Sequence, residues 1–246
     1  METREPFLRR VVLRDAAEGE TRHGYPWDLP VVAALGAGLA LHPKVTYLVG
    51  ENGTGKSTLI EALAVAAGMN PEGGSSNFVH ATRDSHSPLG EAVSLPRGAR
   101  RPRTDFFLRA ESLFTAATYL EELSDEPLQS YGGRSLHEQS HGESFLAVVV
   151  HRFGPDGLYL LDEPEAALSP QNCLTLLRRV HELVEEGSQF VIATHSPLVL
   201  AYPDATIYAF EEDGVRVVDY DDAGPVTLTR SFLGNRERFV DVLLAG

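Results

Sequence analysis

The run Val45-Thr46-Tyr47-Leu48-Val49 leads directly into Gly50-Glu51-Asn52-Gly53-Thr54-Gly55-Lys56-Ser57. A short apolar run of this kind reads as a buried strand, and the spacing after Ser57 reads as a helix. Strand, glycine-rich turn and helix in that order define a phosphate-binding loop, which commits the chain to an α/β fold. The glycines let the backbone wrap a polyphosphate with successive N–H groups pointing inward, and the helix beginning near Lys56 adds the positive end of its dipole. Lys56 would reach the β- and γ-phosphates, and the Ser57 hydroxyl would bind Mg²⁺. The nucleotide-binding set is then Gly50, Glu51, Asn52, Gly53, Thr54, Gly55, Lys56, Ser57 and Thr58. The chain has nineteen arginines but only two lysines, Lys44 and Lys56, so lysine is rare outside the place where this chemistry calls for one.

With 246 residues, 43% of them hydrophobic, the chain can bury one substantial core, and residues 1–246 are expected to form one domain. No stretch approaches the roughly 20 apolar residues of a membrane span. The N-terminus lacks an apolar signal segment. One cysteine, Cys173, excludes an internal disulfide and fits a reducing compartment, so a soluble cytoplasmic protein is expected. A formal charge of −14 repels phosphate backbones and disfavours broad nucleic-acid binding. Arg97, Arg100, Arg101 and Arg103 form a local exception, read first as a solvated loop and second as an anion- or partner-binding patch.

Along the chain, residues 7–13 read as an edge strand, 30–35 as another strand, and 44–49 as the strand feeding the loop. Residues 57–67 read as a helix ended by Gly68. Residues 70–103 are rich in Gly, Ser, Pro and Arg, with a short strand possible at 78–82, and 105–123 return to helical spacing; about 70–140 would be an inserted lid or helical subregion. A strongly apolar helix follows at 142–153, then a buried strand at 158–161. Residues 171–186 read as an amphipathic helix with Leu174, Leu177, Val180 and Val184 on one face, and 189–194 as another buried strand. Residues 206–210 and 215–219 flank a hairpin turn, and 235–244 form a last helix. Strands alternating with helices argue for a largely parallel sheet covered on both faces.

Two later strands carry polar residues at their ends. Leu158-Tyr159-Leu160-Leu161 ends in Asp162-Glu163-Pro164, so Asp162 would hold Mg²⁺ and Glu163 would polarise the attacking water. Neighbours on a strand point to opposite faces, but at a strand end the chain turns, and both carboxylates can face the phosphates. Phe190-Val191-Ile192-Ala193-Thr194 ends in His195, placed to touch the γ-phosphate at the ligand-binding end of a parallel sheet. Between the loop and these strands, Ser140-His141-Gly142-Glu143 opens a helix. It satisfies a capping box, which accounts for it locally; alternatively Ser140, Gly142 and Glu143 present a helix N-terminus to a γ-phosphate held by another subunit.

In this order and spacing the residues resemble the ATP-binding cassette (ABC) superfamily. The segment from Gly50 to Ser57 is similar to its Walker A motif, Ser140-His141-Gly142-Glu143 to its LSGGQ signature, Leu160 to Glu163 to Walker B, and His195 to its switch histidine. The resemblance spans about residues 45–197 and is strongest to small standalone ATPases near the SMC and OLD branches. It implies ATP and Mg²⁺ as ligands, catalysis by Glu163, His195 and Lys56, a metal held by Ser57 and Asp162, and a largely parallel sheet with antiparallel edge strands and a helical signature subregion. His141 replaces the first signature glycine, and Ser169 the usual D-loop aspartate. No glutamine occurs between Lys56 and Gln129, so the Q-loop residue has no match, with Glu111 a substitute. Tyr25 or Trp27 could stack on adenine or fill the core.

The resemblance further implies a head-to-tail homodimer burying two ATP molecules, with hydrolysis releasing closure. The leading function is a soluble ATPase that drives an unknown protein partner or a nucleic-acid process, acting through the surface around residues 97–103 and 105–123. The alternatives are the ATPase subunit of a membrane transporter and a non-catalytic nucleotide-gated scaffold.

Overall fold

The computed structural model describes residues 4–17, 19–71, 73–75, 87–111, 140–211 and 214–245. Its main element is a six-stranded sheet built from β3 (Val45–Gly50), β5 (Thr104–Arg109), β6 (Gly157–Asp162), β7 (Gln189–Ala193), β8 (Thr206–Glu211) and β9 (Gly214–Val218). The strand order is β5-β6-β7-β3-β8-β9; all neighbours are parallel except β8 and β9, which pair antiparallel as a hairpin. A smaller antiparallel sheet joins β2 (Leu39–Ala40), β1 (Arg10–Leu13) and β4 (Val93–Ser94), with β1 in the middle.

The apolar runs are continuous because both faces of the main sheet are covered. Alternate residues divide between two cores. Tyr47, Tyr159, Leu161, Phe190 and Ile192 face one side, packed with Phe145 and Val148 of α4 (His141–Arg152) and Leu176 and Val180 of α5 (Pro170–Glu185). Leu48, Leu160 and Val191 face the other, packed with Leu59, Ile60 and Leu63 of α2 (Lys56–Ala67) and with α1 (Pro30–Leu35). Burying each such side chain contributes roughly 1.5–3 kcal/mol, so the central strands are held rigidly from both sides. The six strands therefore present their ends as a fixed platform. Buried Gln189 anchors the N-terminal segment to it, accepting from Leu8 N–H at 2.9 Å and donating to the carbonyls of Leu8 and His42.

Several elements differ from the sequence expectation. Residues 30–35 form helix α1: Pro30 takes the first helical position, where its missing N–H costs nothing, and Val31, Val32 and Leu35 share a buried face. The expected edge strand at 7–13 begins at Arg10 and lies in the middle of its small sheet. Residues 104–109 are strand β5, because Phe106, Phe107 and Leu108 are consecutive and all buried against β6 and the two cores. The stretch 70–140 is accordingly not one continuous insertion, since the main sheet takes residues 104–109; α3 (Leu89–Ala92) and β4 also lie within it. The buried face of α5 is Cys173, Leu176, Val180, Leu183 and Val184, whereas Leu174 is 45% exposed. A further helix, α6 (Gly224–Gly234), precedes α7 (Arg236–Leu244). The strand considered at 78–82 and the helix beyond residue 111 lie outside the described residues.

Candidate functional site

Five parallel strands end at one edge of the sheet, and the site residues are gathered at the ends of four of them, β3, β5, β6 and β7. β3 runs into the loop, and α2 begins at Lys56 with Gly55 as its N-cap in the left-handed conformation, φ 95°. A Cβ there would also come within 2.5 Å of Val31 Cγ1, so the position admits only glycine. No side chain caps α2, which leaves the N–H groups of its first turn open to an anion. Within the loop, Glu51, Asn52 and Gly53 are exposed, and Thr54 is buried with its hydroxyl donating to Glu51 O at 2.9 Å. Lys56, only 4% exposed, donates from Nζ to Gly50 O at 2.9 Å and Glu51 O at 3.0 Å. Burial pushes its ammonium pKa down, against the pull of the Glu163 and Asp162 carboxylates. A cation held by two carbonyls at the floor of an open loop is primed to exchange them for phosphate oxygens.

β6 brings Asp162 under α2. Ser57 Oγ donates to Asp162 Oδ1 at 3.1 Å, and Asp162 is 3% exposed. Burial pushes the Asp162 carboxyl up, while Arg109 and Ser57 pull it down. A hydroxyl and a carboxylate oxygen are the donors a hard divalent cation prefers, the remaining ligands coming from water and phosphate. Ser57 and Asp162 thus fit Mg²⁺. Among the described residues there is no group of three or more His, Cys, Asp or Glu side chains that could hold a metal ion.

The chain turns sharply after Asp162. Glu163 is left-handed, φ 47° and ψ 53°, a conformation that costs a non-glycine residue about 1–3 kcal/mol. The turn is pinned by Glu163 N–H donating to Ala193 O at 2.9 Å. It turns the Glu163 side chain toward the same edge as Asp162, and Glu163 Oε1 lies 3.5 Å from His195 Nε2. The strain is local to the group expected to act on water. His195 is further fixed through its backbone, whose N–H donates to Glu165 Oε1. Pro164–Ala167, a short 3₁₀ turn, carries Glu165 into that position.

The N-terminus of α4 reaches the same edge: a Cβ on Gly142 would stand 3.0 Å from Ala167 O and 3.3 Å from Asn172 Nδ2. Gly142 is therefore the residue that lets α4 lie against the turn after Glu163. Ser140 caps α4 with a complete capping box: its Oγ accepts from Glu143 N–H at 3.4 Å, and Glu143 Oε2 accepts from Ser140 N–H at 2.9 Å and from the Ser140 hydroxyl at 2.7 Å. Ser140 and Glu143 are exposed.

Sequence reasoning missed two contributors. Arg109, at the end of β5, donates from Nε to Asp162 Oδ2 at 3.0 Å and from Nη2 to Glu61 Oε2 at 3.3 Å. The signal was present: Phe106-Phe107-Leu108 ending in a charged residue has the same form as the strands ending in Asp162 and His195. Glu111, the substitute for the missing glutamine, is exposed two residues further on. Glu165 was the second, overlooked beside the Asp162-Glu163 pair. Of the aromatic pair, Tyr25 is 69% exposed with its hydroxyl 3.4 Å from Thr58 Oγ1, while Trp27 is half-buried under the Arg22 guanidinium. The arginine loop is tied to the protein's own surface. Arg97 donates to Ala67 O, Arg100 pairs with Asp156 and lies over Phe7, and Arg103 Nε is 3.7 Å from the same aspartate. Arg101 is exposed.

The glycine-rich loop between β3 and the uncapped start of α2, on a mostly parallel sheet with an antiparallel edge, is the architecture of a P-loop nucleotide-binding protein. Residues 123–201 match the family profile described as "AAA domain, putative AbiEii toxin, Type IV TA system", and residues 37–97 match one described as "AAA domain". The vitamin B12 import ATP-binding protein BtuD of Salmonella typhimurium is 32% identical over 199 residues, 74% of this chain and 74% of its own. The histidine/lysine/arginine/ornithine transport ATP-binding protein HisP of Escherichia coli is 26% identical over 181 residues, 61% of this chain and 69% of its own. The chain belongs to the ABC superfamily of ATPases. Its fold matches that of cbiO1 from Clostridium perfringens, part of the ABC transporter complex cbiONQ, with a TM-score of 0.51 at 18% identity, covering 98% of this chain and all of that one.

Proposed function

We propose that residues 1–246 act as one Mg²⁺-dependent ATPase unit, which closes head to tail with a second copy around two ATP molecules and hydrolyses them. The observation that carries the reading is the 3.1 Å hydrogen bond from Ser57 to Asp162 beside buried Lys56, a donor set that suits a metal-bound triphosphate. Lys56 exchanges the carbonyls of Gly50 and Glu51 for phosphate oxygens, and the open N–H groups of α2 hold the phosphate chain. Ser57 and Asp162 would hold Mg²⁺, which when bound neutralises charge on the β- and γ-phosphate oxygens. Glu163 orients the attacking water and accepts its proton, and His195, beside it, contacts the γ-phosphate. Ser140, Gly142 and Glu143 of a second copy would complete the γ-phosphate site, with Ser140 released from its capping box.

The output of closure in this reading is force or a signal passed to a separate protein partner in the cytoplasm. A nucleic-acid process is compatible, although the charge of −14 gives it no general support. The relation to BtuD and HisP favours a second reading, in which the chain is the ATP-binding subunit of a membrane transporter. Among the described residues no helix is long and apolar enough to cross a membrane, so that role would call for a separate membrane protein. A phosphate-release assay on the purified chain, with Mg²⁺ and with EDTA, tests the common core. Mg²⁺-dependent turnover that is lost in Glu163→Gln is expected; no turnover in the wild type favours a nucleotide-gated scaffold. Co-purification with a membrane protein would select the transporter.

A further inference from the structure

Arg109 has no part in the hydrolysis scheme, yet it lies at the centre of the site's buried charge. It is the last residue of β5 and stands opposite Asp162 in the parallel register. Its guanidinium spans two carboxylates, Asp162 Oδ2 at 3.0 Å and Glu61 Oε2 at 3.3 Å. Glu61 lies one turn beyond Ser57 on α2, and its second oxygen accepts from Ser87 N–H at 3.2 Å. The fork therefore ties β5, β6 and α2 together at one point.

The two oxygens of Asp162 are divided between two partners: Oδ1 accepts from Ser57, and Oδ2 accepts from Arg109. A carboxylate with both oxygens engaged cannot swing about its last torsion. We infer that Arg109 is a positioning residue for the catalytic metal, holding Asp162 by Oδ2 so that Oδ1 stays beside Ser57, where the metal is taken. The inference rests on the Mg²⁺-ATPase reading above. A lysine could not do the same, because one ammonium on a flexible stem lacks the planar fork that reaches both carboxylates. Direct competition between Arg109 and the metal is disfavoured by the same geometry, since Arg109 and Ser57 engage different oxygens. As a stabilising device alone the arrangement makes little sense, because a buried ion pair offsets much of its attraction by desolvation.

The test is Mn²⁺ binding to the full chain loaded with ATPγS, followed by electron paramagnetic resonance, for the wild type, Arg109→Gln and Arg109→Lys. Losing an outer partner of a metal ligand typically weakens metal binding about tenfold or more, and that loss is expected for Arg109→Gln, with Arg109→Lys between it and the wild type. Affinity for a fluorescent ATP analogue in excess EDTA should be the same in all three, because Arg109 does not touch the phosphate loop. A wild type that takes up no Mn²⁺ overturns the ATPase reading itself. Equal Mn²⁺ affinity in wild type and Arg109→Gln overturns the inference alone, and tighter binding in Arg109→Gln does so by making Arg109 a competitor. If Arg109→Gln lacks a cooperative melting transition, Arg109→Lys decides: weaker Mn²⁺ binding supports the positioning role, and wild-type affinity overturns it.

Discussion

Two helix N-termini meet at the same edge of the sheet, and they are finished in opposite ways. α2 begins after Gly55 with no side-chain cap, so its first N–H groups are open. α4 begins at Ser140 with a capping box that uses both the Ser140 and Glu143 side chains. An uncapped N-terminus costs folding free energy, about 0.5–2 kcal/mol on the scale of cap deletions, and is tolerated where a ligand will supply the missing acceptor. A capped one is stable alone and must be opened before it can bind. In the proposed function the uncapped α2 is the end that holds nucleotide, and the capped α4 makes a conditional contact, when a γ-phosphate on a second copy offers acceptors stronger than the Glu143 carboxylate's local bonds.

The largest test of that division lies on the α2 side. Glu163→Gln should lower turnover by about 10²–10⁴-fold while leaving nucleotide binding intact, since it removes the base and keeps the turn; single-turnover hydrolysis beside fluorescent-nucleotide titration measures both. Lys56→Ala comes next, with nucleotide affinity falling about 10- to 100-fold as charge-assisted bonds to phosphate are lost. If α4 serves only closure, no change there should reach that size in the monomer. Gly142→Ala should push α4 from Ala167 O at an overpacking cost of about 1–2 kcal/mol, weakening dimer closure without altering the monomer's affinity for ATP. The smallest effect is Glu143→Ala, which removes half of the capping box and should lower the melting temperature by about 2–4 °C. A Glu143→Ala variant that loses ATP binding as a monomer would erase the contrast, because α4 would then belong to its own subunit's site.

The residues differ in how far their placement could be read from the chain. The loop, Asp162, Glu163 and His195 were legible because each sits at a strand end, where a continuous apolar run stops at a polar group. That signal survives without knowledge of the neighbours. Arg109 obeyed the same rule but was lost, because residues 105–123 taken together have helical spacing, and that longer window hides the short run Phe106-Phe107-Leu108. Only pairing with β6 removes that ambiguity. The helix at Pro30–Leu35 went the other way: Val31, Val32 and Leu35 fit a buried strand in isolation, and Pro30 at the first helical position was the overlooked cue. Contacts that close through the fold, such as Glu165 to the His195 backbone or Gly142 to Ala167, carry no periodicity and could not be found without the tertiary arrangement. The arginine cluster shows the limit of counting charge. Asp156 pairs with Arg100 and approaches Arg103, so part of the patch's charge is offset from within the fold.

Head-to-tail closure depends most directly on whether α4 completes a neighbour's site. The deciding measurement is the solution mass of Glu163→Gln by light scattering, without nucleotide and with Mg-ATP. The account predicts a monomer that becomes a dimer when Mg-ATP is added and returns to a monomer when the nucleotide is removed. A mass that stays monomeric at saturating Mg-ATP, with binding confirmed by titration, would contradict it.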